Sequence, residues 1–248
     1  MTPLLRAELL KLRTTRTFLA LTGVAVGTSL LICVLVASLS KPTQESVLTD
    51  VFTTDTSGLF IVVLAIVGIT GEWRHRTITS SLLAAPDRLR FLAAKTLAFA
   101  AAGMLLSLTI SISVAIVGMA ILSGRDLPTP ELGDLAFQIL RNAEVAALLG
   151  AFGLALGSLI RNQPVAIVGV LVFSFAIEPA LLALVPDVGR FTPFTGLSAG
   201  VQAIPASDVG GSDDLKLLSP GLAALALLGY IAVAFAAGVT LLRRRDLN

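Results

Sequence analysis

Few residues in this chain could carry out chemistry. A single histidine, His75, lies in a charged stretch between two apolar runs, so it can build neither a His-based zinc or haem site nor an intramembrane Ser/His dyad. One cysteine, Cys33, allows no internal disulfide and no thiol metal cluster. A nucleotide-hydrolysing loop needs a lysine that follows a glycine, and none of the four lysines does. We therefore expect no enzymatic activity, no metal and no cofactor in this chain.

Glu178 is the ionisable residue that stands out within the long apolar runs. A carboxylate at the centre of a bilayer costs about 2.5 to 3.5 kcal/mol, so Glu178 is either functional or placed near a membrane surface. It follows Pro164 by a helical rise of ~21 Å, which favours a surface position and a structural role. Ion-driven transporters usually bury ionisable residues in several spans, and this argues against an autonomous pump.

A charged and hydroxyl-rich island, residues 71–95, separates the second and third apolar runs. Within it, residues 77–85 can form a short helix, because Ile78, Leu82 and Leu83 make one apolar stripe of the kind that presses on a partner. Pro86 ends this segment, and Asp87 is an N-cap for the next helix. The island is therefore predicted to be a docking loop, and a merely solvated connection is the alternative.

The composition predicts an all-α integral membrane protein. The chain has 248 residues, of which 55% are hydrophobic and 14% charged, and its mean hydropathy is +0.91. The chain has no basic stripe of the kind that binds nucleic acid.

Six apolar stretches are predicted to cross the membrane. The first has 24 uncharged residues, and their length of ~36 Å exceeds a ~30 Å hydrocarbon core. The second has only 16 uncharged residues, so we expect it to recruit the preceding turn at 51–54. The predicted spans are residues 17–40, 52–72, 91–124, 135–160, 164–185 and 217–242.

The segments outside the spans complete one domain of residues 1–248. Residues 1–16 have leucines on one face and charges on the other, which predicts an interfacial amphipathic helix. Between the fifth and sixth spans lie two semi-apolar pieces bounded by prolines, and we expect re-entrant or surface helices there.

The distribution of basic residues predicts the orientation. Thirteen Lys and Arg residues lie in the terminal segments, the island and the turn at 161, and five lie in the alternate loops. By the positive-inside rule, the chain is a multi-pass protein of the cell membrane with both termini and the island in the cytoplasm.

In this order of elements, the whole chain resembles the permease subunits of type-2 ATP-binding-cassette exporters. The poor length of the second span departs from the family pattern. The motifs that carry the resemblance are ELLKLRTTR at 8–16, the loop residues Glu72, Arg76, Thr77, Leu82, Leu83, Pro86 and Lys95, RFTPFTGL at 190–197 and RRRD at 243–246.

The resemblance implies a half-transporter. Two permease copies, identical or homologous, would enclose a pathway, and cytoplasmic ATPase subunits that bind ATP and Mg²⁺ would dock on the loops. The expected docking residues are Glu72, Arg76, Thr77, Ile78, Leu82, Leu83 and Arg88. The candidate lining of the pathway is Phe60, Thr70, Phe173, Phe175 and Glu178.

The family exports drugs, antibiotics, lipids and polysaccharides, and the small external loops favour a small amphipathic or hydrophobic cargo. A self-immunity permease that clears a membrane-active peptide is one alternative. A non-transporting membrane scaffold or sensor, which recruits a cytosolic partner through residues 71–95, is the alternative from another class.

Overall fold

The computed structural model describes residues 2–74, 77, 87–160, 162–211 and 215–244. The described residues are 83% helical and contain no strand. Within this part of the chain, six helices are long and apolar enough to cross a membrane. An all-α membrane protein with six candidate spans is therefore confirmed.

The helices before the fifth span are α1 (Thr2–Thr14), α2 (Arg16–Leu39), α3 (Val47–Val51), α4 (Ser57–Arg74), α5 (Arg88–Gly124) and α6 (Leu132–Leu159). The fifth span, Gln163–Leu184, consists of α7 (Gln163–Val172), a π-helical turn (Phe173–Ile177) and α8 (Glu178–Leu184). The remaining elements are α9 (Pro186–Gly189), a second π-helical turn (Pro193–Leu197), α10 (Ser198–Gln202), a 3-10 turn (Ala206–Val209) and α11 (Pro220–Arg244).

The second span differs from its predicted bounds of 52–72, because α4 begins at Ser57 and continues to Arg74. The preceding apolar residues Val51 and Phe52 are buried inside the protein at 0% and 2% exposure and do not extend the span. The Asp55 carboxylate accepts a hydrogen bond of 2.8 Å from the backbone N–H of Ser57, which fixes the start of the helix.

The fifth span passes through Pro179 without breaking. Proline has no N–H to donate to the preceding turn and its ring crowds that turn, so the helix widens locally. The widening is the π-helical turn Phe173–Ile177, just before Pro179. The effect of this proline is therefore a bulge within a span of 22 residues.

The centre of the bundle is α6, which packs against α4, α5 and α11. Small residues allow this close approach. A Cβ added to Gly153 would lie 2.9 Å from the Cα of Val62 on α4, and one added to Gly150 would lie 2.5 Å from the carbonyl oxygen of Phe99 on α5. Gly150 and Gly153 thus allow α6 to pack closely against α5 and α4.

The bundle has two chemically different ends. The basic end contains α1, the last turn of α4, the first turn of α5 and the last turn of α11, and there the Arg88 guanidinium donates to the Leu242 carbonyl oxygen. The acidic end contains the connections 40–56, 125–131 and 185–219, and there Arg125 donates to the carbonyl oxygens of Ala37 and Ser40.

Candidate functional site

Four charged side chains at the basic end join α1 to α4 and α5. Lys95 Nζ lies 2.7 Å from Glu8 Oε2 and 2.8 Å from Glu72 Oε1, and Lys11 Nζ lies 2.7 Å from the same Glu72 oxygen. Lys95 and Glu72 are buried, with side chains 1% and 3% exposed. We call Glu8, Lys11, Glu72 and Lys95 the ionic cluster. Because each buried charge has an opposite partner, the cluster holds α1 against the helices on both sides of the island.

Lys11 is the exposed member of the ionic cluster. Burial by itself lowers the pKa of the Lys11 ammonium, but the hydrogen bond and the charge of Glu72 outweigh this effect, and the pKa is raised above its usual value. Lys11 therefore remains charged at neutral pH and neutralises Glu72.

A pocket of about 500 Å³ adjoins the ionic cluster. Its walls are largely apolar side chains of α1, α2, α4 and α5, including Leu12, Phe18 and Phe99. Glu72 Oε2 is buried and has no hydrogen-bond partner among the described residues.

Of the predicted docking residues that the structure describes, one is buried and the others contact different parts of the chain. Glu72 faces inward in the ionic cluster, so it positions the helices that flank the island and does not reach a partner surface. Arg88 bonds to the end of α11. Thr77 is exposed and non-helical, and its N–H donates to the Glu72 carbonyl oxygen at 3.0 Å. Arg76, Ile78, Leu82 and Leu83, together with most of the predicted helix 77–85, lie outside the described residues.

A second polar site lies inside the bundle toward the acidic end. Its charged member is Asp55, whose Oδ2 accepts hydrogen bonds from Ser107 at 2.5 Å and Ser111 at 2.8 Å. Both serines lie on one face of α5, four residues apart. With the bond from the Ser57 N–H, the Asp55 carboxylate accepts three hydrogen bonds.

Amide side chains extend this network across α6 and α10. Asn142 Nδ2 donates to Ser111 at 3.1 Å and to the Phe52 carbonyl oxygen at 3.0 Å. Its Oδ1 accepts from the amides of Gln138 and Gln202 at 3.0 and 2.9 Å. Each polar group is thus held in a fixed orientation by its neighbours.

These groups border a cavity of about 280 Å³, which we call the Asp55 pocket. Asp55, Asn142 and Gln202 form its polar wall, and the rings of Phe175 and Phe194 form its apolar wall. Among the described residues, no lysine or arginine pairs with Asp55 and none lines the pocket. The pocket therefore carries an uncompensated negative charge within a membrane protein.

Only part of the predicted pathway lining meets at this pocket. Phe175 lines it, and the ring of Phe173 packs edge-on against Phe194, with centroids 6.4 Å apart. Phe60 instead packs in the cluster formed by α2 and α5. Thr70 is fully buried and donates to the Ile66 carbonyl oxygen of its own helix.

Glu178 is also fully buried and does not line the pocket. Its carboxylate accepts hydrogen bonds from the backbone N–H groups of Phe194, at 3.1 Å, and Thr195, at 2.5 Å. These are the first N–H groups of the helical segment that begins at Pro193, and a carboxylate at that position is favoured by the helix dipole. The geometry supports the structural interpretation of Glu178.

In comparisons with known proteins, no family model and no curated protein sequence matches this chain. The functional interpretation therefore rests on the residues and their geometry. The Asp55 pocket is the feature that the sequence analysis missed, although a signal was present. Ser107 and Ser111, and likewise Gln138 and Asn142, recur at the four-residue spacing of one helical face.

Proposed function

We propose that the chain is the permease subunit of an ATP-driven exporter of the type-2 ATP-binding-cassette class. In this proposal the basic end faces the cytoplasm, where a separate ATPase subunit docks on the island at residues 77–85. The bundle carries a small amphipathic or hydrophobic compound out of the cytoplasm or the inner leaflet.

The observation that carries the proposal is the ionic cluster. A docking loop can transmit movement only if the helices on both sides of it are mechanically linked. Glu72 lies in the last turn of α4, and Lys95 lies in the second turn of α5, so their ion pair connects the two helices that flank the island. Glu8 and Lys11 add α1 to the same unit.

The fifth span has surface that a second copy could cover. It is 22% buried, compared with 61% for α6 and 17% for the first span, so much of its surface, like that of the first span, is free for lipid or for a second permease. Phe175 lies on this span and is 66% exposed. The pathway is therefore proposed to form where the fifth spans of two copies approach each other.

The test uses the double variant Leu82→Ala with Leu83→Ala. The tagged permease is co-expressed with its ATPase, and purification, ATP hydrolysis and cargo movement in proteoliposomes are measured. Removal of apolar anchors commonly costs about 1 to 2 kcal/mol or more each, so the variant should insert normally but lose its ATPase or its coupling. The matched control is Leu222→Ala with Leu225→Ala, two leucines that are 59% and 64% exposed on α11.

Three outcomes would contradict the proposal. Purification of the wild type without any ATP-hydrolysing subunit would favour the scaffold or sensor alternative. Full association and transport in the double variant would make the island a solvated connection. Loss of transport in the α11 control to the same extent would show that the effect is not specific to the loop.

A further inference from the structure

The Asp55 pocket places a carboxylate inside the helix bundle. Ser111, which donates to Asp55, lies thirteen residues before the end of α5 at Gly124, a distance of ~20 Å along the helix. Asp55 is half-buried and precedes an α4 whose 18 residues extend ~27 Å, about the thickness of the hydrocarbon core, so it lies toward the acidic-end surface of the membrane and not at its centre. Asp55 accepts from the Ser57 N–H at the start of α4, much as Glu178 accepts from the N–H groups of a helical segment, but unlike Glu178 it also lines a cavity.

The hydrogen bonding of Asp55 leaves room for a ligand. The two oxygens of a carboxylate accept about four hydrogen bonds. Three positions are filled by Ser107, Ser111 and the Ser57 N–H. At least one acceptor position is therefore open, and its natural partner is a cationic N–H donor because the described lining contains no positive charge.

The rest of the pocket favours an organic cation over a metal ion. No group of three metal-binding His, Cys, Asp or Glu side chains occurs in the described part of the chain. The apolar lining instead includes Phe175 and Phe194, whose rings can contact alkyl or aromatic groups and attract a cation. The volume of about 280 Å³ lies near the lower limit of small-molecule sites.

We propose that the Asp55 pocket binds a small organic ammonium ion, with Asp55 as the counter-ion and Phe175 and Phe194 against its apolar part. That this ligand is exported cargo rests on the proposed transport function, whereas the binding itself does not. The substrate class is accordingly that of amphipathic amines, and the polar network of Asn142 and Gln202 holds the carboxylate wall in place.

The experiment measures binding to the full chain in nanodiscs of zwitterionic lipid, without any ATPase. The probe is radiolabelled 2-phenylethylammonium, and 2-phenylethanol is its neutral counterpart. We expect saturable binding of the ammonium above the level of empty nanodiscs, and at least about tenfold weaker binding of the alcohol, as expected for loss of a charge-assisted hydrogen bond.

Two variants locate the site. Asp55→Asn keeps the shape and removes the charge, and it should weaken ammonium binding about tenfold or more. Asp50→Asn is the matched control, because Asp50 accepts from Ser46 at the same end and does not line the pocket. Phe175→Ala removes a ring that is already 66% exposed, so it should fold even if Asp55→Asn does not, and should weaken binding about threefold.

The proposal is overturned if the wild type binds no ammonium above empty nanodiscs, or if it binds the alcohol equally well. It is also overturned if Asp50→Asn weakens binding as much as Asp55→Asn, or if Phe175→Ala binds like the wild type. Since no ATPase is present, a negative result leaves the proposed transport function standing. If the chain binds the ammonium but recruits no ATPase, the proposed binding site is supported and the proposed transport function is rejected.

Discussion

Substitution of Lys95 by methionine tests whether the ionic cluster holds the basic end together. Methionine has nearly the same length and flexibility as lysine but carries no charge. The change removes both ion pairs of Lys95, at 2.7 Å to Glu8 and 2.8 Å to Glu72, and the contact of its ammonium with the ring of Phe91 at 5.4 Å. Glu72 then keeps Lys11 as its only cationic partner among the described residues.

The expected loss of stability in Lys95→Met follows from the burial of Lys95 and Glu72. Removal of one partner from a buried ion pair costs about 3 to 5 kcal/mol, because the remaining charge stays desolvated. We expect about 3 kcal/mol for Lys95→Met, the lower end of that range, since Lys11 continues to neutralise Glu72. The matched control is Lys11→Met. The Lys11 side chain is 52% exposed, so we expect a loss of only about 0 to 1 kcal/mol.

The free energy of unfolding is measured in mixed micelles by titration with a denaturing detergent, with helicity followed by circular dichroism. Adding Glu72→Gln to Lys95→Met should restore part of the lost stability, because the uncompensated carboxylate is removed. If Lys95→Met costs less than about 1 kcal/mol, or no more than Lys11→Met, the cluster does not stabilise this end as its burial implies. Further destabilisation by Glu72→Gln would contradict the same reasoning.

Three further predictions concern topology, packing and the capped helix. A cysteine at Ser46 should be labelled from outside intact cells and one at Ser80 should not; the reverse pattern would invert the proposed orientation. Gly150→Ala should destabilise the protein by about 1 to 3 kcal/mol because its Cβ would lie 2.5 Å from a carbonyl oxygen of α5, whereas Gly169→Ala, with open space around it, should be tolerated in the same unfolding assay. Glu178→Gln should lower the free energy of unfolding by about 1 to 3 kcal/mol, because the carboxylate cap is lost, and should leave ammonium binding intact. Weaker ammonium binding by the folded variant would instead give Glu178 a role in the pocket.

The sequence predicted the six spans because uncharged stretches of this length have few alternatives to a membrane helix. It misplaced the start of the second span for a physical reason. Val51 and Phe52 are apolar and were counted toward the span, yet they are buried against the neighbouring helices, before the cap of α4 at Asp55. Hydropathy records the preference of a residue for an apolar environment, and protein interior and lipid satisfy it equally.

The polar features were harder to predict. Glu72 was expected on a docking surface from the resemblance of the loop to exporter permeases, but its partner Lys11 lies 61 positions away and such pairing cannot be inferred from spacing. The Asp55 network was missed because serine, asparagine and glutamine do not interrupt an uncharged stretch. Asp55 itself fell within the predicted bounds 52–72 of the second span and was given no role there.

The helix α4 relates the two polar sites to each other. It begins two residues after Asp55 and ends two residues after Glu72, and its 18 residues extend ~27 Å. Its backbone touches α6 at Gly153, so α4 and α6 are expected to move as one body because tightly packed helices do not slide continuously. The rings of Phe175 and Phe194 belong to other elements, the fifth span and the segment at Pro193. A displacement that reaches the ionic cluster from the island and moves α4 with α6 would therefore shift Asp55 and Asn142 relative to these two rings, and the proposed ammonium site would open or close accordingly.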